Sequence, residues 1–399
     1  MTSTLLRAYI ISCVGDLWSS KTPLPFAPKI PLAPTNHRFS CGMATKAVQF
    51  KGYALTDPSK WNDLQVIEFT PKVFEPEDVE IAITHCGVCG SDVHTLTQGW
   101  GESKLPLVVG HEIVGTVTRV GDKVTEFKIG DRVGVGAQRG SCLQCRECKD
   151  DYENYCPRSI NTYNSQYPDG VVAQGGYSTA IRVHERFTLP IPDEIESRHA
   201  ASMMCAGLTV YSPLKTHGAG PGKKVGIMGI GGLGHYAILW AKAMGAEVYA
   251  FTHDESKVED IKKMGADHVV NTSDKEFHKD LARTLDILLS TRDVFGDSTP
   301  LGDYLSMLYV HGRFVTVGIP DADDTLPPLH AFDLVPNGCL MGGSKIGSKK
   351  ECLEMLELAR SKSIKPWIEE LPMREVGKAL RNLKNNAVRY RYVVKQDIA

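Results

Sequence analysis

Between Met228 and the run HYAILWAKAMGA the chain reads Gly229-Ile230-Gly231-Gly232-Leu233-Gly234. The short apolar run Lys223–Met228 stands before it, so the order is strand, glycine turn, helix. No other stretch restricts the fold as strongly. The glycines permit a tight turn and let a pyrophosphate approach the backbone N–H groups at the helix start. The motif alone is weak evidence. Here a second strand, Glu247–Thr252, follows the helix, which is the context the motif needs. Strand-like runs at His268–Val270, Asp286–Leu289, Arg313–Val317 and Leu340–Gly343 alternate with helical segments. An α/β architecture with a doubly wound parallel Rossmann sheet is therefore expected, with Gly229, Gly231, Gly232, Leu233 and Gly234 holding a dinucleotide.

The end of the second strand bears on which dinucleotide. An acidic residue there accepts hydrogen bonds from the adenosine ribose and selects NAD. This chain has Thr252 and His253 instead, with Lys257 shortly after, a set that tolerates a 2′-phosphate. NADP(H) is the expected cofactor, with Asp254 and Glu255 as the residues that oppose it.

A chain of 399 residues is too long for one ordinary core, so a second domain is expected. From Ala44 to about Asp131 short β-type runs such as Val79–Thr84 and Ile113–Val120 are punctuated by Gly, Pro and Asp, which reads as an antiparallel, barrel-like domain. The tail from Ser348 onward reads as helix, strand, helix and closing strand, and is assigned back to that domain. The expected division is 43–206 and 346–399 for the catalytic part and 207–345 for the nucleotide part. Residues 1–42, rich in proline, form an extension expected to be disordered and dispensable for catalysis, with an organelle-targeting leader as the other reading. The net charge of −2 offers no basic field for nucleic acid or an acidic membrane. No apolar run approaches the ~20 residues that span a bilayer. Eleven cysteines in so long a chain, clustered as they are, favour metal sites in a reducing, cytoplasmic compartment over a disulfide framework.

Two clusters carry that metal reading. Cys142, Cys145, Cys148 and Cys156 are spaced C-x2-C-x2-C-x7-C, and four thiolates on one loop can close a tetrahedral structural zinc site. A ferredoxin-type cluster shares the proline after the last cysteine but has three residues before that cysteine, not seven. The second cluster lies in Cys86–Glu112, CGVCGSDVHTLTQGWGESKLPLVVGHE. Cys89 and His111 are ligand types that suit zinc, a catalytic zinc takes about three protein ligands, and Cys205 in ASMMCAGLTVY is the candidate third. Glu112 is a supporting carboxylate or transient ligand. Taken alone, Cys86, Cys89 and His111 read equally well as ordinary core residues.

From Met43 to about Lys395 the chain resembles the zinc-dependent medium-chain alcohol dehydrogenases, and within them the NADP-dependent branch similar to cinnamyl alcohol dehydrogenase. The motifs that carry the resemblance are CGVCGSDVH at 86–94, GHEIVG at 110–115, the four-cysteine loop, QGGY at 174–177, CAGLTVYSPL at 205–214, GIGGLG at 229–234 and RYRYVV at 389–394. It implies a GroES-like β-barrel catalytic domain beside the Rossmann domain, two zinc ions per chain and a homodimer. It further implies Cys89, His111 and Cys205 as catalytic zinc ligands, Ser91 and His94 as a proton relay, and Asp92 as a carboxylate supporting a ligand. The implied activity is reversible hydride transfer between NADP(H) and a small primary alcohol or its aldehyde, with Trp100 expected to line the substrate pocket. Thr252-His253 departs from the serine-rich version of plant members. Two other functions are weighed: a zinc-free quinone or enone reductase, which should lack both cysteine clusters, and a non-catalytic NADP-binding protein.

Overall fold

The computed structural model describes residues 48–295 and 300–399; the expectations for residues 1–42 lie outside them. The first half is antiparallel. Strand β1 (Phe50–Leu55) pairs with β2 (Gln65–Phe69), and the long β3 (Asp78–Gly87) runs into helix α1 (Gly90–Leu96). A short β4 (Leu107–Val108) returns to β1, and β5 (Glu112–Val120) lies beside β3. Then come β6 (Arg132–Val135), β7 (Gln138–Gly140), helix α2 (Arg146–Lys149), β8 (Ile160–Asn161), β9 (Ala180–His184) and β10 (Leu189–Pro190). Alternation in VEIAIT turns Val79, Ile81 and Ile83 inward, where they meet Ile113, Val117, Val133 and Ile181 in one buried cluster.

Helix α3 (Ser197–Ser202), a π-helical turn at Met203–Gly207 and α4 (Leu208–Thr216) form one continuous helical run. The expected division at 206/207 thus falls inside a helix. The nucleotide half follows with β11 (Lys224–Met228), α5 (Gly232–Ala243), β12 (Glu247–Thr252), α6 (Val258–Met264), β13 (His268–Asn271) and β14 (Leu285–Ser290). Helix α7 (Leu301–Ser306), β15 (Leu308–Thr316), α8 (Ala331–Leu334) and β16 (Leu340–Gly343) complete it. The strands pair in parallel in the order β13-β12-β11-β14-β15-β16. That is the doubly wound order, with its switch point between β11 and β14, where ligands bind beyond the strand ends. Covered on both faces, Val225, Ile227 and Met228 of β11 are all buried, as a central parallel strand requires. At the turn, Gly229 has φ +89, and a Cβ on Gly234 would stand 2.1 Å from the Gly229 carbonyl oxygen. Both positions therefore demand glycine.

The chain then returns to the first sheet. Ser348 caps α9 (Lys349–Ser361), followed by β17 (Ile368–Pro372), α10 (Val376–Lys384) and β18 (Arg391–Lys395). Strand β18 pairs antiparallel with β3, setting Val394 opposite Cys86. Strand β17 joins β18 in parallel, a crossover made possible by α10 in an otherwise antiparallel sheet. The four-cysteine lobe grips the start of this return: Lys349 N–H donates to Glu153 Oε1 at 2.7 Å, Asn154 Nδ2 to the Lys345 carbonyl at 2.8 Å, and Lys345 N–H to Tyr155 Oη at 3.1 Å.

Candidate active site and metal centres

Three separate stretches build the first cluster. Cys89 caps α1, His111 and Glu112 lead into β5, and Cys205 sits on the π-helical turn, a device frequent at functional sites. Their ligand atoms all lie within 4.8 Å of one another and all four residues are buried. Asp92, fully buried, is the organising group. Its carboxylate accepts from Cys89 N at 3.0 Å, Gly110 N at 3.1 Å, Tyr177 Oη at 2.7 Å and His111 Nδ1 at 3.0 Å. The last bond fixes hydrogen on Nδ1 and directs the His111 Nε2 lone pair at the cluster, where Cys205 Sγ stands 3.1 Å away.

Protonation in this pocket is shared. Contact with Cys205, then His111, holds the Cys89 thiol well below its usual range despite burial. Cys205 is pushed well above its range by the Cys89 thiolate and by burial. Burial works against charge on His111, but Asp92 and Cys89 outweigh it and raise the imidazole well above its ordinary value. Two sulfurs and a nitrogen converging beside a carboxylate match the donor set of zinc, whose binding displaces these protons.

Glu112 has a partner that spacing did not reveal. Arg391 at the start of β18, 279 residues along the chain, places Nη2 against both carboxylate oxygens, and Ala206 N–H donates to Oε1 at 3.2 Å. Burial pushes Glu112 up to about 7, with Arg391 opposing that rise. The same guanidinium stands beside the glycine turn: a Cβ on Gly232 would lie 2.9 Å from Arg391 Nη1. The metal cluster and the dinucleotide motif are therefore neighbours.

Ser91 Oγ lies 3.7 Å from Cys89 Sγ. His94, on the same helix, stacks on Trp100 with centroids 4.8 Å apart and 6° between the planes. Trp100 donates its indole N–H to the Pro320 carbonyl at 2.8 Å and remains 38% exposed. One of its faces is thus committed to His94.

In the second cluster the sulfurs of Cys142, Cys145, Cys148 and Cys156 stand 3.4–4.0 Å apart along four of their edges. A tetrahedron of thiolates about 2.3 Å from zinc has edges of about 3.8 Å, whereas a disulfide would need about 2.05 Å. Backbone N–H groups of Cys145 and Arg158 donate to Cys142 and Cys156, at 3.3 and 3.4 Å. Donation from Gln144 and Cys145 backbone lowers Cys142 to about 5.

At the adenosine end, Thr252 closes β12 and its Oγ1 accepts from Asp254 N–H at 3.1 Å. His253 is exposed. Lys257 ends a 3-10 turn and donates to the Ile230 carbonyl at 2.9 Å, so its ammonium stands against the glycine turn. Sequence reasoning missed Arg389, whose Nη2 lies 3.0 Å from Ser256 Oγ and 3.5 Å from Asp254 Oδ2. Asp254 is occupied by that cation and by the Ser256 N–H and hydroxyl.

Residues 75–193 match the family model of the alcohol dehydrogenase GroES-like domain, and residues 232–361 that of the zinc-binding dehydrogenases. The NADP-dependent alcohol dehydrogenase 6 of Saccharomyces cerevisiae is 42% identical over 354 residues, covering 87% of this chain and 96% of its own. Cinnamyl alcohol dehydrogenase 2 of Arabidopsis thaliana is 42% identical over 347 residues, covering 86% and 90%. The solved cinnamyl alcohol dehydrogenase of Sorghum bicolor superposes with a TM-score of 0.82 at 35% identity over 87% of this chain and 98% of that one. The Helicobacter pylori enzyme complexed with NADP(H) gives 0.80, at 35% identity and the same coverage.

Proposed function

The chain belongs to the zinc-binding alcohol dehydrogenase family, and from that premise we propose that it is an NADP-dependent zinc alcohol dehydrogenase and aldehyde reductase acting on primary aryl or aliphatic alcohols of the cinnamyl type. The observation that carries this reading is the meeting of Cys89, His111 and Cys205 beside the glycine turn, with Arg391 between the two. Cys89, His111 and Cys205 would hold the catalytic zinc, with Glu112 beside it, and Cys142, Cys145, Cys148 and Cys156 a second, structural ion. When bound, the catalytic ion supplies a Lewis acid for the substrate oxygen, and the nicotinamide supplies the hydride chemistry. The chain's own residues do the rest. Asp92 orients His111, the hydroxyl of Ser91 passes the alcohol proton outward, and His94 accepts it at the rim. Trp100 backs His94 and offers its other face to the pocket. A zinc-free reductase would have no use for either cluster, and a non-catalytic binding protein none for the Ser91–His94 pair.

Thr252, Lys257 and the neighbouring Arg389 support NADP(H). A charge-assisted hydrogen bond to the 2′-phosphate contributes about 1.5–3 kcal/mol, or roughly tenfold to a hundredfold in affinity. With cinnamaldehyde as substrate, NADPH is expected to be preferred over NADH, Thr252→Asp to reverse the preference, and Lys257→Ala to raise the Michaelis constant for NADPH alone. Equal efficiency with both cofactors in the unmutated enzyme would overturn this pocket's assignment and leave the dehydrogenase reading standing.

We also propose a homodimer built on the open edge of the parallel sheet. Among the described residues strand β16 has no partner on its outer side, and Leu340, Phe332 and Val335 around it are 53%, 86% and 73% exposed. Unpaired, apolar sheet edges call for a partner. Sedimentation should show two chains per particle, and Leu340→Lys with Phe332→Lys should give monomers; a monomeric parent protein would refute the interface. Free thiols throughout the described residues fit the reducing, cytoplasmic setting that we assign to it.

A further inference from the structure

Helix α1 with the turn that follows it and the loop after β15 meet through three contacts. Trp100 donates to the Pro320 carbonyl at 2.8 Å, Ala322 N–H to the Gly99 carbonyl at 2.8 Å, and His94 Nδ1 lies 2.6 Å from Asp321 Oδ1. Asp321 is 227 residues from His94 and comes from the nucleotide half. Its carboxylate fills the space in front of Gly99, where a Cβ would stand 1.8 Å from Oδ1. Glycine at 99 thus makes room for a carboxylate delivered from the far side of the cleft.

We propose that Asp321 is the positioning residue of His94, setting the tautomer and orientation with which His94 takes up the substrate proton; this rests on the relay reading above. A carboxylate at hydrogen-bond distance from Nδ1 requires that nitrogen to carry the hydrogen, which leaves the Nε2 lone pair free. A proton passed outward is accepted there, giving an imidazolium whose Nδ1–H remains bonded to Asp321. It then leaves from Nε2 to water, and the neutral ring returns to its starting tautomer. No proton need reside on Asp321. The other charged group within reach among the described residues is Asp293, 4.0 Å from Nε2, too far to hold a hydrogen on that nitrogen. Trp100, stacked on the face of the ring, packs against it in this orientation.

The zinc-loaded full chain carries the test, with variants Asp321→Ala, Asp321→Glu, Gly99→Ala and His94→Ala. General acid–base help is worth roughly 10²–10⁴ in rate, and loss of its orienting partner should remove about tenfold of kcat while the alcohol KM stays within about twofold. Gly99→Ala should reproduce that fall by displacing the carboxylate. Asp321→Glu should recover part of it. Formate, which fits the space left by the deleted side chain, should raise kcat of Asp321→Ala and leave His94→Ala unchanged. If Asp321→Ala keeps kcat while His94→Ala loses it, the positioning role is wrong and the relay stands. If His94→Ala also keeps kcat, the relay reading fails, and ¹⁵N shifts of His94 decide the rest. Hydrogen on Nδ1 in the parent and redistributed in Asp321→Ala upholds Asp321 as its orienting partner; an unchanged tautomer overturns it.

Discussion

Cys89→Ser is expected to yield a folded protein with one zinc ion per chain instead of two and turnover reduced at least about a thousandfold, since a Lewis acid supplies several kcal/mol and each ~1.4 kcal/mol is tenfold. Cys89 is the thiol that its surroundings hold ionised, through Cys205 and His111, and a hydroxyl at the same place would stay protonated. Its backbone N–H still reaches Asp92, so the cap of α1 survives the change. Cys145→Ser should do the opposite. It should empty the other site, whose zinc contributes about 10–16 kcal/mol of apparent binding energy in small zinc modules, and lower the melting temperature more than it lowers turnover per zinc-loaded site. Metal analysis with thermal melts of both variants checks this. Iron, or one zinc in the unmutated protein, would contradict the assignment of two sites.

Arg391→Leu should be strongly destabilising. It leaves Glu112, fully buried, facing leucine in place of its guanidinium, and an uncompensated buried charge costs about 3–5 kcal/mol. At roughly 2–4 °C per kcal/mol, the melting temperature should fall by about 6–20 °C. Arg391→Leu combined with Glu112→Leu should recover most of that loss, because a buried ion pair replaced as a whole by apolar groups is close to neutral. The pH dependence has a definite sign. Burial already raises Glu112 to about 7, above the 4.5 of an exposed glutamate, and removing Arg391 removes the influence that opposes the rise. A carboxyl raised on folding stabilises fully below its unfolded pKa and loses that contribution as pH climbs through the folded one. The deficit of Arg391→Leu should therefore be larger at pH 8 than at pH 5. An equal deficit at both, or no recovery in the double variant, would show that the pair is not what ties β18 to β5 within the first sheet.

What was legible in the sequence was whatever depends on neighbours along the chain. The glycine turn, the four-cysteine spacing and the ends of β12 and β16 follow from local pattern, and the structure places them as read. Parallel pairing of β17 with β18 is not announced by the antiparallel sheet that they join, although a strand, helix and strand in succession is the pattern that permits it. The same holds for side chains that meet across the fold. Nothing near Glu112 announces Arg391, nothing near His94 announces Asp321, and Asp254 reads as an obstacle to phosphate until Arg389 is seen beside it. Trp100, flanked by two glycines, gives no hint of which ring it will lean on. Tyr177 could have been found, since QGGY was singled out, but its hydroxyl partner Asp92 lies 85 residues away.

The grip of Glu153, Asn154 and Tyr155 on residues 345–349 has a mechanical meaning. Strand β16 ends at Gly343, so the polypeptide leaving the nucleotide sheet is clamped within two residues of its exit. Movement of one half of the molecule against the other is therefore expected to meet resistance here, where these hydrogen bonds tie the exit of β16 to the four-cysteine lobe. A zinc ion held by the four cysteines, though it would touch no substrate, would in this way stiffen the exit from the nucleotide sheet.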